Sequence, residues 1–234
     1  MPASRDRQAA VFDVVGTLVD LTPARDELVS IGAPPLALEA WFQRLLHSAA
    51  TTSAIGRLRP FEELARASLR STLAQLGLDP DSGDEVTATL GRLPAYPDAA
   101  EALDLLRDQG HAVVALTNSG SAQARSLLDG SDLLDRFDAV VSAEEAGAFK
   151  PNRAPYELIL HRLGGTAATM IASHGWDVLG AQAAGLDGVW VDRLERRWPF
   201  PLAMPRRAAD LLEAAALVAS QEVSTQAGAE GRGR

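Results

Sequence analysis

The chain has 234 residues, 47% of them hydrophobic and 23% charged, with a formal net charge of −9. That suffices for one mid-sized domain or a domain carrying an insertion, and it leaves no basic surplus to neutralise nucleic-acid phosphates. No cysteine occurs, which excludes disulfides, thiolate chemistry and cysteine zinc sites. The stretch from Met1 to Asp13 lacks the apolar run of a signal peptide, and nothing approaches the ~18 apolar residues of a membrane helix. A cytoplasmic protein without a membrane partner is the expectation.

In chain order, Ala9-Ala10-Val11-Phe12-Asp13-Val14-Val15 reads as a short buried strand stopped by Gly16. Asp13 is a carboxylate at the end of an otherwise apolar run. Residues 22–93 are helical in pattern. One segment begins after Pro34-Pro35 with Leu36-Ala37-Leu38-Glu39-Ala40-Trp41-Phe42, another at Pro60-Phe61, and a shorter one follows Asp84. The pattern then alternates. A helix from Pro97 to Gly110 leads to a strand at 111–117, and a helix at 121–128 leads to a strand at 137–142. A helix at 154–163 ends at Gly164-Gly165, and strands at 169–173 and 188–192 flank a helix at 178–184. The last helix is expected over 207–218, and the polar tail 221–234 is expected to be disordered.

Alternating strands and helices mean a parallel sheet covered on both faces, an α/β protein. Ligands of such sheets lie beyond the carboxyl ends of the strands. The polar residues expected on that rim are Asp13, Thr17, Thr117, Asn118, Lys150, Ser173, His174 and Asp177. Lys150 stands out by composition, because the other 21 of the 22 basic residues are arginine. An ammonium is a compact point charge where a guanidinium is a planar fork, so a tight site can require one and reject the other. Taken singly, Asp13 also fits a turn cap, Asp177 a helix N-cap before Val178, and His174 a ring held by loop backbone.

Phe12-Asp13-Val14-Val15-Gly16-Thr17-Leu18, Leu116-Thr117-Asn118, Phe149-Lys150-Pro151 and Ser173-His174-Gly175-Trp176-Asp177 resemble, in order, the four motifs of the haloacid dehalogenase-like hydrolases. The resemblance implies a Rossmann-like core over residues 1–20 and 94–220, with a helical cap inserted at 21–93. Within that superfamily the chain is similar to the 2-haloacid dehalogenase branch. It has Trp176-Asp177, Tyr156 six residues after Lys150, and Trp41-Phe42-Gln43 with Phe61-Glu62 in the cap.

What the resemblance implies is a metal-independent hydrolase of small anionic substrates. Asp13 attacks the α carbon, displaces halide and forms an ester that water cleaves to a 2-hydroxy acid. Lys150, Tyr156 and Thr17 orient Asp13, and Asp177 holds the lysine or activates water. Thr117 binds the substrate carboxylate, and Asn118, Phe42, Phe61, His174 and Trp176 surround substrate and halide. No cofactor is expected, and a homodimer is compatible with the resemblance. The chain departs from the branch at Phe42, where an arginine receives the halide, and at Ala172 and His174, where serine and asparagine are usual. Arg44 and Arg57 are the nearby arginines, both expected on the surface.

Two other readings stand beside this one. The first is a phosphatase of small phosphate esters with a weakened magnesium site made of Asp13, the Val15 backbone carbonyl and Asp177. Val15 holds the place of that group's second aspartate and Ser173 that of a further acidic ligand. The second is a non-catalytic member that binds an anion. Chelator sensitivity separates the first from the dehalogenase reading, and covalent trapping on Asp13 separates the second.

Overall fold

The computed structural model describes residues 8–230, with side chains described as far as Ser220. Six parallel strands form one sheet: β1 (Ala9–Phe12), β2 (Ala112–Thr117), β3 (Ala139–Ser142), β4 (Ala168–Ala172), β5 (Asp187–Val191) and β6 (Arg206–Ala208). Their spatial order is β3-β2-β1-β4-β5-β6. The chain winds outward from β1 in one direction to β3, then returns to β4 on the other side. The order therefore reverses between β1 and β4, the switch point at which such sheets open a crevice.

The strands are apolar on both faces because helices cover both. Along β1 the side chains alternate with period two. Ala10 and Phe12 join a cluster with α5 (Ala99–Asp108), α6 (Ser121–Gly130) and α9 (Leu211–Glu230). Ala9 and Val11 join Tyr156 and Ile159 of α7 (Arg153–Arg162) and Val178 and Ala181 of α8 (Gly175–Ala183). The α/β class and parallel sheet expected from the sequence are what the structure shows.

Between β1 and α5 lie four further helices: α1 (Thr22–Ser30), α2 (Ala37–Ala54), α3 (Phe61–Gln75) and α4 (Asp84–Thr89). Pro60 does stand at a helix start, immediately before α3. Trp41 is the largest fully buried side chain of this segment. Its Nε1 donates to the Ala65 carbonyl (3.0 Å) and Ser68 Oγ (3.1 Å), joining α2 to α3. The segment is tied to the rim of the sheet by polar contacts. Ser53 Oγ accepts from Phe149 N (2.9 Å), Glu62 Oε1 from Gly120 N (3.2 Å), and Glu144 Oε1 from Phe61 N (2.8 Å).

Two elements differ from expectation. The last helix begins at Leu211 rather than Arg207, and Arg206–Ala208 is a sixth strand. Three residues with two arginines show no apolar run, yet backbone pairing with β5 needs none. Arg206 pairs with Asp187 and Arg207 with Asp192 along this edge, a charged border of the kind that discourages further strand addition. The backbone of α9 continues to Glu230, over positions where a disordered tail is expected. Residues 231–234 lie outside the described residues.

Trp41→Ala should lower unfolding free energy by about 3–5 kcal/mol, the usual cost of deleting a buried tryptophan. Urea denaturation followed by circular dichroism measures it. A loss under 1 kcal/mol would show that α2 and α3 do not share a cooperative core with the sheet.

Candidate active site

Asp13 extends the ladder of β1, its N–H donating to Ile171 O of β4 at 3.1 Å. The chain then turns back, with Leu18 N donating to Val14 O at 2.9 Å. Gly16 carries the turn at φ +82°, and a Cβ there would lie 3.0 Å from His174 Nε2. Both the backbone conformation and the close approach demand glycine. The turn brings Thr17 back beside the carboxylate, where Thr17 Oγ1 donates to Asp13 Oδ2 at 2.7 Å. The same hydroxyl accepts from Ser173 N at 2.9 Å, which fixes the direction of its proton.

Lys150 is 1% exposed, and its ammonium makes three hydrogen bonds: to Asp13 Oδ1 (2.9 Å), Asp177 Oδ2 (2.6 Å) and Leu116 O (2.8 Å). An ammonium has three N–H donors, so all are spent. The nitrogen also lies 5.9 Å from the Trp176 ring centroid, within cation–π range. Asn118 clamps the Lys150 backbone. Its Oδ1 accepts from Lys150 N at 2.8 Å and its Nδ2 reaches Lys150 O at 3.4 Å. The amide expected to face the halide is thus turned to holding the lysine's main chain.

Burial alone would raise the Asp13 carboxyl. The Lys150 charge, then His174 and the hydrogen bonds from Lys150 and Thr17, reverse this and hold it below its ordinary value. Burial likewise favours a neutral Lys150, but the two aspartates outweigh it and raise the ammonium. Asp177 goes the other way from Asp13. Complete burial and the like charge of Asp13 raise it in spite of its two donors.

Tyr156 does not orient Asp13 as expected. Its hydroxyl donates to Asp177 Oδ1 at 2.6 Å, and burial together with Asp177 raises the phenol well above its usual range. Gly180 on α8 permits this, since a Cβ there would meet the Tyr156 hydroxyl at 2.7 Å. Nor is Asp177 an N-cap. The cap residue of α8 is His174, and Asp177 lies in the first helical turn with its carboxylate turned inward. The helix starts three residues sooner than the apolar pattern suggests, because Gly175, Trp176 and Asp177 belong to it.

Asp13 opens on a cavity of about 260 Å³, walled mainly by apolar side chains from α2, α3, α4 and α6. Phe42, Phe61, Thr117, Asn118, His174 and Trp176 all line it. Phe42 stacks on His174 (centroids 5.2 Å apart) and His174 on Trp176 (5.4 Å). His174 Nε2 lies 3.1 Å from the Val15 carbonyl and 3.8 Å from Asp13 Oδ2. The ring therefore has the backbone partner that one reading of the sequence gave it, and it sits beside the Asp13 carboxylate as well. Trp176 Nε1 is buried with no hydrogen-bond partner among the described residues. Arg44 bonds Ser71 and Gln75 across α2 and α3, and neither it nor exposed Arg57 lines the cavity.

Two supporting residues escape the sequence reading. Arg193 Nη1 donates to Thr17 O at 3.1 Å while also pairing with Asp98. Glu195 Oε2 accepts from Gly175 N, the first turn of α8, at 3.0 Å. Both follow β5 on the carboxyl rim of the sheet, which is the one signal that points to them.

A magnesium ion does not fit Asp13, the Val15 carbonyl and Asp177. The lysine nitrogen stands between the two carboxylates, both Asp177 oxygens carry donors, and His174 caps the Val15 oxygen. Ser173 supplies no charge in place of a further acidic ligand. The near-octahedral oxygen shell that magnesium requires is absent from this donor set.

A family profile described as haloacid dehalogenase-like hydrolase matches residues 8–185. The (S)-2-haloacid dehalogenase of Xanthobacter autotrophicus is 33% identical over 195 residues, covering 81% of this chain and 76% of that protein. The haloacetate dehalogenase H-2 of Moraxella sp. (strain B) is 30% identical over 192 residues, covering 80% and 86%. The structure of the X. autotrophicus L-2-haloacid dehalogenase with chloropropionic acid covalently bound superposes with a TM-score of 0.81 at 28% identity, covering 91% of this chain and 98% of that one. The chain belongs to the haloacid dehalogenase-like hydrolases.

Proposed function

We propose that this protein is a metal-independent 2-haloacid dehalogenase in which Asp13 is the covalent nucleophile. The observation that carries the reading is the state of Asp13. It is a nearly buried carboxylate, held ionised by Lys150 and Thr17, facing an apolar cavity. Carboxylates are weak nucleophiles in water, and orientation plus a stripped solvent shell is what activates them. The chemistry named for the similar proteins supports the same reading.

One Asp13 oxygen forms a bond to the substrate C2 as the carbon–halogen bond breaks, and the bonding pair leaves with the halide. Each oxygen has one donor in the free enzyme, so each keeps a lone pair for attack. Thr117, at the end of β2, receives the substrate carboxylate. The halide departs against the Phe42–His174–Trp176 wall.

Water then attacks the Asp13 carboxyl carbon, releasing a 2-hydroxy acid and restoring the carboxylate. Asp177 takes the water's proton in this reading, which is supported by its closeness to Asp13: one oxygen of each lies 2.6 and 2.9 Å from the same lysine nitrogen. The helical segment 21–93 acts as the cap that closes the site over Asp13. The complete set of Asp13, Lys150, Asp177 and Tyr156 argues against a non-catalytic anion binder.

Halide release from 2-chloropropionate and fluoroacetate in the presence of chelator tests the reading. Wild type should release halide, and Asp13→Asn should lose at least about 10⁴-fold in kcat, on the scale of losing a nucleophile. Turnover of phosphate esters that stops with chelator, without any halide release, would favour the phosphatase instead.

Asp13 must be ionised to attack, and a lowered pKa keeps it ionised as pH falls. Thr17→Val removes one bond to the charged form, so the acid limb of kcat/KM should move to higher pH. The loss of a hydrogen bond to a charged group, about 1.5–3 kcal/mol, should cut kcat by roughly 10–100-fold. A pH–rate profile that superposes on wild type would show that Thr17 does not support the nucleophile.

A further inference from the structure

We infer that the preferred substrates are 2-haloacids with an apolar side chain longer than that of 2-chloropropionate, in the range of 2-chlorohexanoate to 2-chlorooctanoate. The inference rests on the dehalogenase reading above and adds a substrate class to it.

Volume is the first argument. The cavity over Asp13 holds about 260 Å³. A six-heavy-atom haloacid such as 2-chloropropionate fills on the order of 100 Å³, the share of three or four liquid waters. The remainder takes roughly four or five further groups of methylene size. A short acid would leave that space to water against walls that are mostly apolar.

Direction is the second argument. The substrate C2 must meet Asp13, and its carboxylate and halide occupy the Thr117 strand end and the Phe42–His174–Trp176 wall. The third substituent of C2 is left facing the rest of the cavity. The wall there includes Leu45 of α2, Ala65 of α3, Ala88 and Leu90 at the end of α4, and Leu127 of α6, with Glu62, Arg66, Thr87 and Gln123 of the same helices also on the lining. The five apolar side chains offer no hydrogen bond and no charge, so together they match an alkyl chain. Phe42 acts in the same sense, since it places a phenyl ring rather than a guanidinium on the wall beside the reacting carbon. Ala65 and Ala88 are small where a larger residue would fill the lobe.

The test is kcat/KM for halide release along the series 2-chloropropionate, 2-chlorohexanoate and 2-chlorooctanoate. It is run on wild type, Ala65→Phe and Ala88→Phe. Three added methylenes buried in an apolar lobe should raise kcat/KM roughly tenfold or more. In the variants the hexanoate-to-propionate ratio should fall towards one. Ala65 is buried and its replacement risks misfolding, whereas Ala88 is exposed enough to accept phenylalanine. A wild-type ratio of one or less, with 2-chloropropionate turned over, would overturn the substrate class and leave the dehalogenase reading intact. So would a raised ratio that neither variant lowers. Absence of Asp13-dependent halide release from every acid in the series would overturn both.

Discussion

The site is organised around one buried ammonium. Lys150 lies between two carboxylates and a backbone carbonyl, with each N–H directed to one of them. Two aspartates and one lysine leave the cluster a net negative charge in a region from which water is almost excluded. Such an arrangement holds only while every partner is present, and removing one partner of a buried pair costs about 3–5 kcal/mol. The cluster therefore fixes the protonation of Asp13 and limits where Asp177 and Tyr156 can lie. It also explains why a chain that otherwise uses arginine keeps lysine here. A planar five-donor fork has no geometry that serves three acceptors converging on one point.

The fold supplies the partners from separate stretches of sequence. Asp13 follows β1, Leu116 is in β2, Lys150 precedes α7 and Asp177 lies in the first turn of α8. The strand order brings these ends together at the reversal between β1 and β4. Supports then hold each group: Asn118 the lysine backbone, Ser173 the Thr17 hydroxyl, Arg193 the Thr17 carbonyl and Gly180 the room for Tyr156. The helical segment meets the same rim. Ser53 bonds Phe149, the residue before the lysine, and Phe42 packs on His174 next to Asp13. A rearrangement of those helices would be felt at Asp13 and Lys150, and under the proposed function it would couple closure of the segment to catalysis.

Much of this was legible in the sequence, for physical reasons. Buried parallel strands need continuous apolar runs, and a carboxylate at the end of one is conspicuous. That is why five strands and Asp13 could be placed, while Lys150 stands out as the one lysine among arginines and Asp177 through its motif after the fourth strand. β6 was not legible, because an edge strand of Arg206-Arg207-Ala208 is held by backbone pairing and surface charges instead of apolar pattern. The partners of Tyr156 and Asn118 were not legible either. Both face the lysine cluster, and sequence spacing places a residue near a site without telling which atom it meets. Cavity size depends on packing among α2, α3, α4 and α6, which no local pattern encodes.

The central claim is that Asp13 forms an ester whose carboxyl carbon, not the substrate carbon, is attacked by water. A single turnover in ¹⁸O-labelled water, with enzyme in excess over a 2-haloacid, tests it directly by mass spectrometry of the peptide bearing Asp13. The account predicts ¹⁸O in the Asp13 carboxylate and unlabelled oxygen in the first 2-hydroxy acid released. Label in the product with an unlabelled Asp13 would mean that water displaces the halide itself, and Asp13 would then be a base and not a nucleophile.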